Sequence, residues 1–360
     1  MGKIYLPITN DCFDPSRYRD ELVAATGHRM AKNWVRHELD SGLNEQKVTA
    51  ITKATVAICT RNRPDDLKRC LDALMQLADD GQEFLVVDNS PSNDDTRMIV
   101  AQYPKVRYVR ESLKGLNIAR NRALREAAHE IVAFTDDDAV PDRQWLRCIV
   151  RNFQNPLVQC VTGLTMPLEL ETEAQEAFEN YSPFSKGFDR LVHSMQTRNP
   201  LSAGQVGAGA NMALRKTVLQ HVGLFDEALD AGTPTESGGD HEFFARILLA
   251  GYEIVYDPAA LSWHRHRRSW KETRQAIRGY GIGVYSFWLR TLIEEKEWQI
   301  IHFPIQWFLD SQLKTLVRSV LRLPGFHPAD LILAELKGCI IAPWKYYLSR
   351  RQLKRKLDLA

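Results

Sequence analysis

The chain has 360 residues, 44% of them hydrophobic and 26% charged, which is enough to bury a substantial core in one large or two modest domains and too apolar for a disordered protein. The formal net charge is +2, so bulk electrostatics do not point to nucleic acid, and no nucleic-acid partner is expected. The six cysteines, Cys12, Cys59, Cys70, Cys148, Cys160 and Cys339, form no CxxC pair and read as reduced, mostly buried thiols of a reducing compartment. The first ten residues, MGKIYLPITN, carry no apolar run of a secretory signal. No apolar stretch reaches the roughly 18 residues a spanning helix needs.

Residues 1–50 read as an N-terminal extension, in which Ala24–Leu43 could form a helix with Trp34 and Leu39 partly on one face. From residue 53 the pattern changes. Thr55–Cys59 is a β-branched apolar run of the kind found in buried parallel strands. Asp65–Leu77 has helical spacing at Leu67, Leu71, Leu74 and Leu77, with Asp65 as N-cap or first-turn acid. Strands follow at Phe84–Val87, Val106–Val109 and Ile131–Thr135, separated by helices at Thr96–Tyr103 and Ile118–His129. Alternating strands and helices imply an α/β fold with a doubly wound, mostly parallel central sheet flanked by helices. Such sheets bind ligands beyond the carboxyl ends of their strands, and those ends carry Thr60-Arg61-Asn62, Asp88-Asn89 and Asp136-Asp137-Asp138.

The second half is less regular. Leu164–Leu170 reads as a strand, Glu171–Phe188 as helix or loop, Gly207–Arg215 as a loop entering a strand, and Thr217–Val222 as a short helix. Gly239–Ala250 is a helix with an acidic opening, and Ile254–Tyr256 is a last short strand before His264-Arg265-His266-Arg267-Arg268. Residues 270–290 and 296–357 are mainly helical, with breaks expected at Pro304, Pro324-Gly325, Pro328 and Pro343. The organisation is an extension (1–50), a catalytic domain (51–290) and a C-terminal helical region (291–360).

Three segments carry chemistry. Three consecutive aspartates after a buried strand repel one another, and a hard divalent cation would neutralise them; the alternative is a solvated acidic turn or helix cap with Pro141 starting the helix. Asp240 and Glu242 open a helix, where the dipole favours anions; they are either functional acids or ordinary first-turn acids. In the His/Arg run, alternating histidines share one side of an extended segment and arginines suit phosphate oxygens; the alternative is a basic surface run.

In order and spacing, VAICTRNRPDDLKRCLDAL, FLVVDNSPSNDDT, KGLNIARNRAL, FTDDDAVPDRQWL, GAGANMALR, GLFDEAL, GGDHEFFARILLAGYEIVYDP and HRHRRS resemble family 2 glycosyltransferases of the glycosyltransferase A (GT-A) fold. The resemblance covers about residues 53–290. It implies a nucleotide-sugar donor, a UDP-sugar by preference, a divalent cofactor (Mn²⁺ or Mg²⁺), and a glycan, lipid-linked or other hydroxyl acceptor. By the same resemblance Thr60, Arg61 and Asn62 line the nucleotide pocket, Asp88 reads the base, and Asn117, Arg120 and Asn121 belong to a segment packed over the nucleotide. Asp136 and Asp138 match the DxD motif, with Asp138 the direct metal ligand and Asp137 beside the ribose. Asp240 matches the catalytic base of an inverting transfer. His264 or His266 matches a later contact to metal or diphosphate, and Arg267 or Arg268 could assist the leaving group. One departure is Gly239, where many relatives place an acid; Glu242 keeps an acid two positions after Asp240.

Residues 165–206 read as the acceptor side, with aromatics that stack on a sugar or simply pack. The C-terminal helices combine Trp307, Phe308, Trp344, Tyr346 and Tyr347 with Arg350, Arg351, Lys354, Arg355 and Lys356, a composition suited to peripheral contact with an anionic membrane, a subunit contact or a solvated helix end. The expected location is cytoplasmic, peripheral at the inner face of the membrane if those helices bind lipid. The competing activities are a nucleotidyltransferase, for which TRNRPDDL lacks a glycine-rich, lysine-bearing loop, and a non-catalytic sugar-nucleotide subunit, against which Asp240 argues.

Overall fold

The computed structural model describes residues 53–358 apart from Glu297. The expected N-terminal extension, its helix and Cys12 lie outside the described residues. Nine strands form one mixed sheet: β1 (Ala54–Thr60), β2 (Glu83–Asn89), β3 (Val106–Glu111), β4 (Ile131–Asp136), β5 (Ala139–Pro141), β6 (Val158–Pro167), β7 (Leu191–His193), β8 (Asn211–Arg215) and β9 (Glu253–His264). The order is β3-β2-β1-β4-β8-β6-β9-β5, with β7 on β9.

The order follows from the sequence pattern. β1, β2 and β4 are nearly continuous apolar runs, and all three pair in parallel, as strands covered on both faces do. One core lies between the sheet and the helices Pro64–Leu74 and Trp145–Val150, through Leu67, Leu71, Leu74, Trp145 and Ile149. The other face packs Ala119, Ala123 and Leu124 together with Phe243, Phe244, Ile247 and Leu248 of the helix Gly239–Leu249. The doubly wound, mixed sheet expected from the sequence is therefore present.

Several elements differ from expectation. The last strand runs twelve residues, not three: β9 continues past Pro258 to His264, and β6 starts at Val158. Pro258 lies inside β9, and β6 and β9 accommodate it through a register shift between Gly163 and Thr165. Pro141 ends β5, and the next helix begins only at Trp145; the reading of an acidic turn with Pro141 opening that helix is corrected. Pro304 falls in the first turn of the helix His302–Trp307, where its missing N–H is no loss. Pro343 lies inside the unbroken helix Ala329–Leu357, which is braced by Leu331, Ile332, Cys339, Ala342 and Tyr346, all buried. The helix Trp270–Glu295 crosses the expected boundary at residue 290.

Candidate active site

The sheet's geometry assembles the acids and the His/Arg run. β4 ends at Asp136, and after Asp137 and Asp138 the chain turns into β5. β5 pairs antiparallel with the end of β9, Ala139 opposite His264. Arg265 N–H donates to the Asp138 carbonyl at 3.0 Å. The long β9 thus carries His264 to the aspartates: His264 Nε2 lies 3.0 Å from Asp138 Oδ1 and 3.9 Å from Asp136 Oδ2.

Asp136, Asp138 and His264 present ligand atoms within 4.8 Å of one another. Two carboxylates and an imidazole fit a divalent cation of the manganese type, and His264 Nδ1 is buried without a partner. Asp137 and Asp138 are each only 5% exposed, which a solvated turn would not be. Arginines compensate part of this charge. Arg63 Nη1 reaches Asp137 at 3.1 Å and Asp138 at 3.0 Å, and Arg267 Nη1 lies 3.4 Å from Asp138. Thr60 donates to Asp137 at 2.6 Å.

Burial opposes ionisation of both inner aspartates, but the outcomes differ. At Asp138 the charge and hydrogen bond of His264, with Arg63 and Arg267, outweigh burial and hold the carboxyl well below its usual value. At Asp137 burial, reinforced by the Asp138 charge, prevails and pushes the carboxyl up to about 7. For His264, burial favours the neutral ring, yet the charges of Asp138 and Asp136 raise its pKa.

Asp240 sits in the first turn of the helix Gly239–Leu249. Its Oδ2 accepts from Gly209 N–H at 2.8 Å and its Oδ1 from His241 N–H at 2.9 Å, so the GAGAN loop positions it. Burial opposes its charge, but His241, Arg120 and those two amides keep its pKa below the ordinary value. Arg120 is buried and bonds Asp230 Oδ2 at 2.7 Å. Burial lowers its pKa, and the charges of Asp230, Asp240 and Asp136 more than restore it. Tyr280, raised chiefly by burial, stands in the fields of Asp240, Asp136 and Asp138. The base candidate Asp240 and Asp136 of the trio therefore act on the same two side chains. A cleft of about 460 Å³ bordered by Arg63, Asp136, His264, Arg267 and Tyr280 opens here.

The other sequence candidates fall into place differently. Asp88 is fully buried; Tyr108 donates to its Oδ2 at 2.8 Å, while its Oδ1 has no partner. Burial raises its pKa. Arg61 and Asn62 hold the loop after β2, through Ser90 O at 3.3 Å and Ser92 N–H at 3.0 Å. The Asn117 and Asn121 amides donate to the Asp226 and Phe225 carbonyls and fix the 225–230 loop. His266 is not drawn into the trio: its Nε2 lies 2.8 Å from Glu179, and its ring packs on Phe178. Arg268 pairs with Glu169 and Glu171 instead of the aspartates. Glu242, the acid expected to stand in near Gly239, faces inward and is bound by Arg246 and Arg290. A side chain on residue 239 has no room, since its Cβ would lie 2.2 Å from Asn117 Nδ2 and 2.7 Å from Asp230 Oδ2. Sequence reasoning missed Arg63, Tyr108, Asp230 and Tyr280. Only Arg63 had a signal, as the next basic residue of the TRNR strand end.

A family model described as glycosyl transferase family 2 matches residues 55–223. The chain is 27% identical over 275 residues to a pre-mycofactocin glycosyltransferase of Mycobacterium tuberculosis, a match covering 74% of this chain and 54% of the relative. It is 26% identical over 242 residues to the glycosyltransferase AglE of Haloferax volcanii, covering 65% of this chain and 74% of that protein. The chain thus spans about half the length of the mycobacterial relative. Among solved structures it is similar to the mannosyltransferase PcManGT of Pyrobaculum calidifontis in complex with GDP-Man and Mn²⁺, with a TM-score of 0.57 and 17% identity, covering 91% of this chain and 98% of that one. That likeness is one of fold.

Proposed function

Given that residues 55–223 belong to glycosyl transferase family 2 and that the chain has the GT-A fold, we propose that it transfers one sugar from a nucleoside diphosphate-sugar to a hydroxyl acceptor, with inversion, in the synthesis of a cell-envelope glycan or glycolipid. The observation that carries this reading is the cluster of Asp136, Asp138 and His264, whose ligand atoms lie within 4.8 Å of one another, with Asp240 held on the Gly209 amide at 2.8 Å.

Asp136, Asp138 and His264 would hold the divalent ion, manganese ahead of magnesium because one ligand is an imidazole. When bound, the ion supplies Lewis-acid stabilisation of the diphosphate leaving group. The chain's own groups do the rest. Asp88, buried with a free Oδ1, accepts an N–H from the base, uracil first. Arg63 and Arg267, paired with Asp138 at the rim of the first cleft, would share their guanidinium donors with phosphate oxygens. Asp240 is ionised and takes the acceptor's hydroxyl proton, a contribution typically worth about 10²–10⁴-fold. Residues 51–290 form the catalytic unit in this reading, and 291–360 a helical region that touches lipid from the cytoplasmic side. Cys59, Cys70, Cys160 and Cys339 are free thiols, which suits a reducing compartment.

The test is a thermal-shift screen of UDP- and GDP-sugars with Mn²⁺ or Mg²⁺, run on the wild type, Asp138→Ala and Asp240→Asn. A donor should raise the wild-type midpoint by mass action. Asp138→Ala should lose the metal-dependent part, while Asp240→Asn should keep donor binding and lose turnover, read as donor hydrolysis or transfer. Equal turnover by Asp240→Asn and the wild type would remove the base assignment. Metal-independent binding in the wild type would remove the trio.

A further inference from the structure

A second cleft, of about 440 Å³, shares no lining residue with the first. It opens between the segment following the helix Glu173–Tyr181, the turn Pro200–Gln205 and the C-terminal helices. Lys186 and Arg198 line it, with Trp307 as an aromatic wall and Glu335 as the one acid among the lining residues. We propose that this cleft receives the acceptor and selects one that carries an oxyanion group, phosphate or carboxylate, held between Lys186 and Arg198. The inference rests on the glycosyl-transfer reading above.

The charge arithmetic is the first argument. Most cations near the first cleft are spent on carboxylates, as Arg63, Arg265 and Arg267 are. Lys186 has only the Pro183 carbonyl, at 3.5 Å, and Arg198 Nε is buried with no partner. Glu335 does not answer them. It accepts the Tyr181 hydroxyl at 2.6 Å, and burial pushes its pKa up. Among the described residues neither Lys186 nor Arg198 has an ion-pair partner in contact, and Asp240 acts on Lys186 only through its field; even partial burial of such groups without a contacting counter-ion is costly. An oxyanion supplies it, in charge-assisted hydrogen bonds of the strong kind.

The second argument is a polar orphan. Gln312, 2% exposed, lines the cleft with its Oε1 unpartnered. A sugar hydroxyl is a donor of the right kind for it. Trp307 offers an apolar plate for the ring face.

The third argument is position. Burial lowers the pKa of Lys186, and Asp240 is the charge that counters it. Gln205 lines the cleft, and its neighbour Gly204 lies against the His241 ring, where an added Cβ would come within 2.8 Å. An acceptor whose oxyanion rests on Lys186 thus brings its sugar within reach of Asp240.

The experiment uses the full chain and three aryl glycosides: phenyl β-glucoside 6-phosphate, phenyl β-glucuronide and neutral phenyl β-glucoside. Each is titrated by calorimetry with Mn²⁺, with and without the nucleoside diphosphate chosen by the donor screen. The anionic probes should bind roughly tenfold or more tightly than the neutral one, and nucleotide should not displace them. Lys186→Gln combined with Arg198→Gln should bring them to the neutral level, with nucleotide binding and thermal midpoint kept. Lys186→Arg should retain the preference. The order of phosphate and carboxylate tells the two sources apart. Equal affinity for all three probes, no binding of any, displacement by nucleotide, or a preference that survives the double variant overturns the proposal. If no nucleotide-sugar binds but the anion preference holds, the transfer reading fails and the anion site stands; the reverse result removes only the anion site.

Discussion

Asp240 and Glu242 lie in the first turn of one helix, yet their carboxylates meet different neighbours. Asp240 accepts two backbone amides and stands in the field of Arg120. Glu242 is fully buried and bonds Arg246 at 2.5 and 2.8 Å and Arg290 at 3.1 Å. Arg246 in turn donates to the Leu224 carbonyl at 2.9 Å, so the pair locks the helix to the preceding loop. Removing one charge of such a buried cluster leaves the other uncompensated and costs about 3–5 kcal/mol. Glu242→Gln should therefore unfold at markedly lower denaturant, whereas Asp240→Asn should shift the midpoint little. An unchanged midpoint for Glu242→Gln would mean that the arginines find other partners. The two acids also mark what residue patterns can reveal. Three aspartates at a strand end announce themselves, because no packing reason puts them there. Asp230 does not: it becomes an active-site neighbour only because Arg120, 110 positions earlier, reaches it across the fold.

The element that positions the trio is the β6–β9 pair, and its weak point is Gly163. There the strands slip register, and a Cβ would stand 2.1 Å from the Ala260 carbonyl and 2.5 Å from Asn211 Nδ2. Asn211 Nδ2 donates to the carbonyls of Leu164 and Ala260 at 3.1 and 2.9 Å, and its Oδ1 accepts from Trp145 Nε1 at 2.8 Å. One asparagine thus ties β6, β8, β9 and the helix after β5 together. Gly163→Ala should cost more than the usual 1–3 kcal/mol or so of overpacking, since the Asn211 bonds shift as well. The checks are soluble yield and the thermal midpoint, with Gly251→Ala, at φ +83° and with open space around its Cβ, as a control for positive-φ strain alone. A Gly163→Ala protein as stable as the wild type would show that the slip adapts freely. This region is also where strand patterns were hardest to read. β1, β2 and β4 are buried on both faces and appear as plain apolar runs. β5 and β7 are three residues each, too short for any period, and β9 hides behind Pro258. The chemistry at the end of β9 was visible in HRHRR, but the strand that delivers it was not.

On the scale of the molecule, the outer surface of the C-terminal helices stands apart. Leu333, Ile340, Trp344 and Tyr347 recur at helical spacing, with Ile340 80% and Trp344 61% exposed. A row of exposed large apolar side chains along one helix marks an interaction face. Lys337, Arg351, Lys354 and Arg355 are exposed along the same helix, so the partner proposed for both features is an anionic lipid surface. Among the described residues no helix is long and apolar enough to cross a membrane, and the contact would be interfacial. Trp307, Ser311, Gln312 and Thr315 of the neighbouring helices line the second cleft, so lipid docking would bring that cleft close to membrane-borne acceptors. The full chain should co-sediment with vesicles of phosphatidylglycerol and phosphatidylcholine, and less with phosphatidylcholine alone. Each basic residue near the surface adds about 1 kcal/mol, so binding should weaken as salt rises. Ile340→Asp with Trp344→Ser should abolish co-sedimentation while leaving the donor-induced thermal shift intact, because neither residue borders the donor cleft. If the double variant still binds vesicles, lipid contact lies elsewhere. If the wild type forms a concentration-dependent dimer that the same substitutions dissolve, the apolar face is a subunit interface, and the second cleft has no membrane beside it.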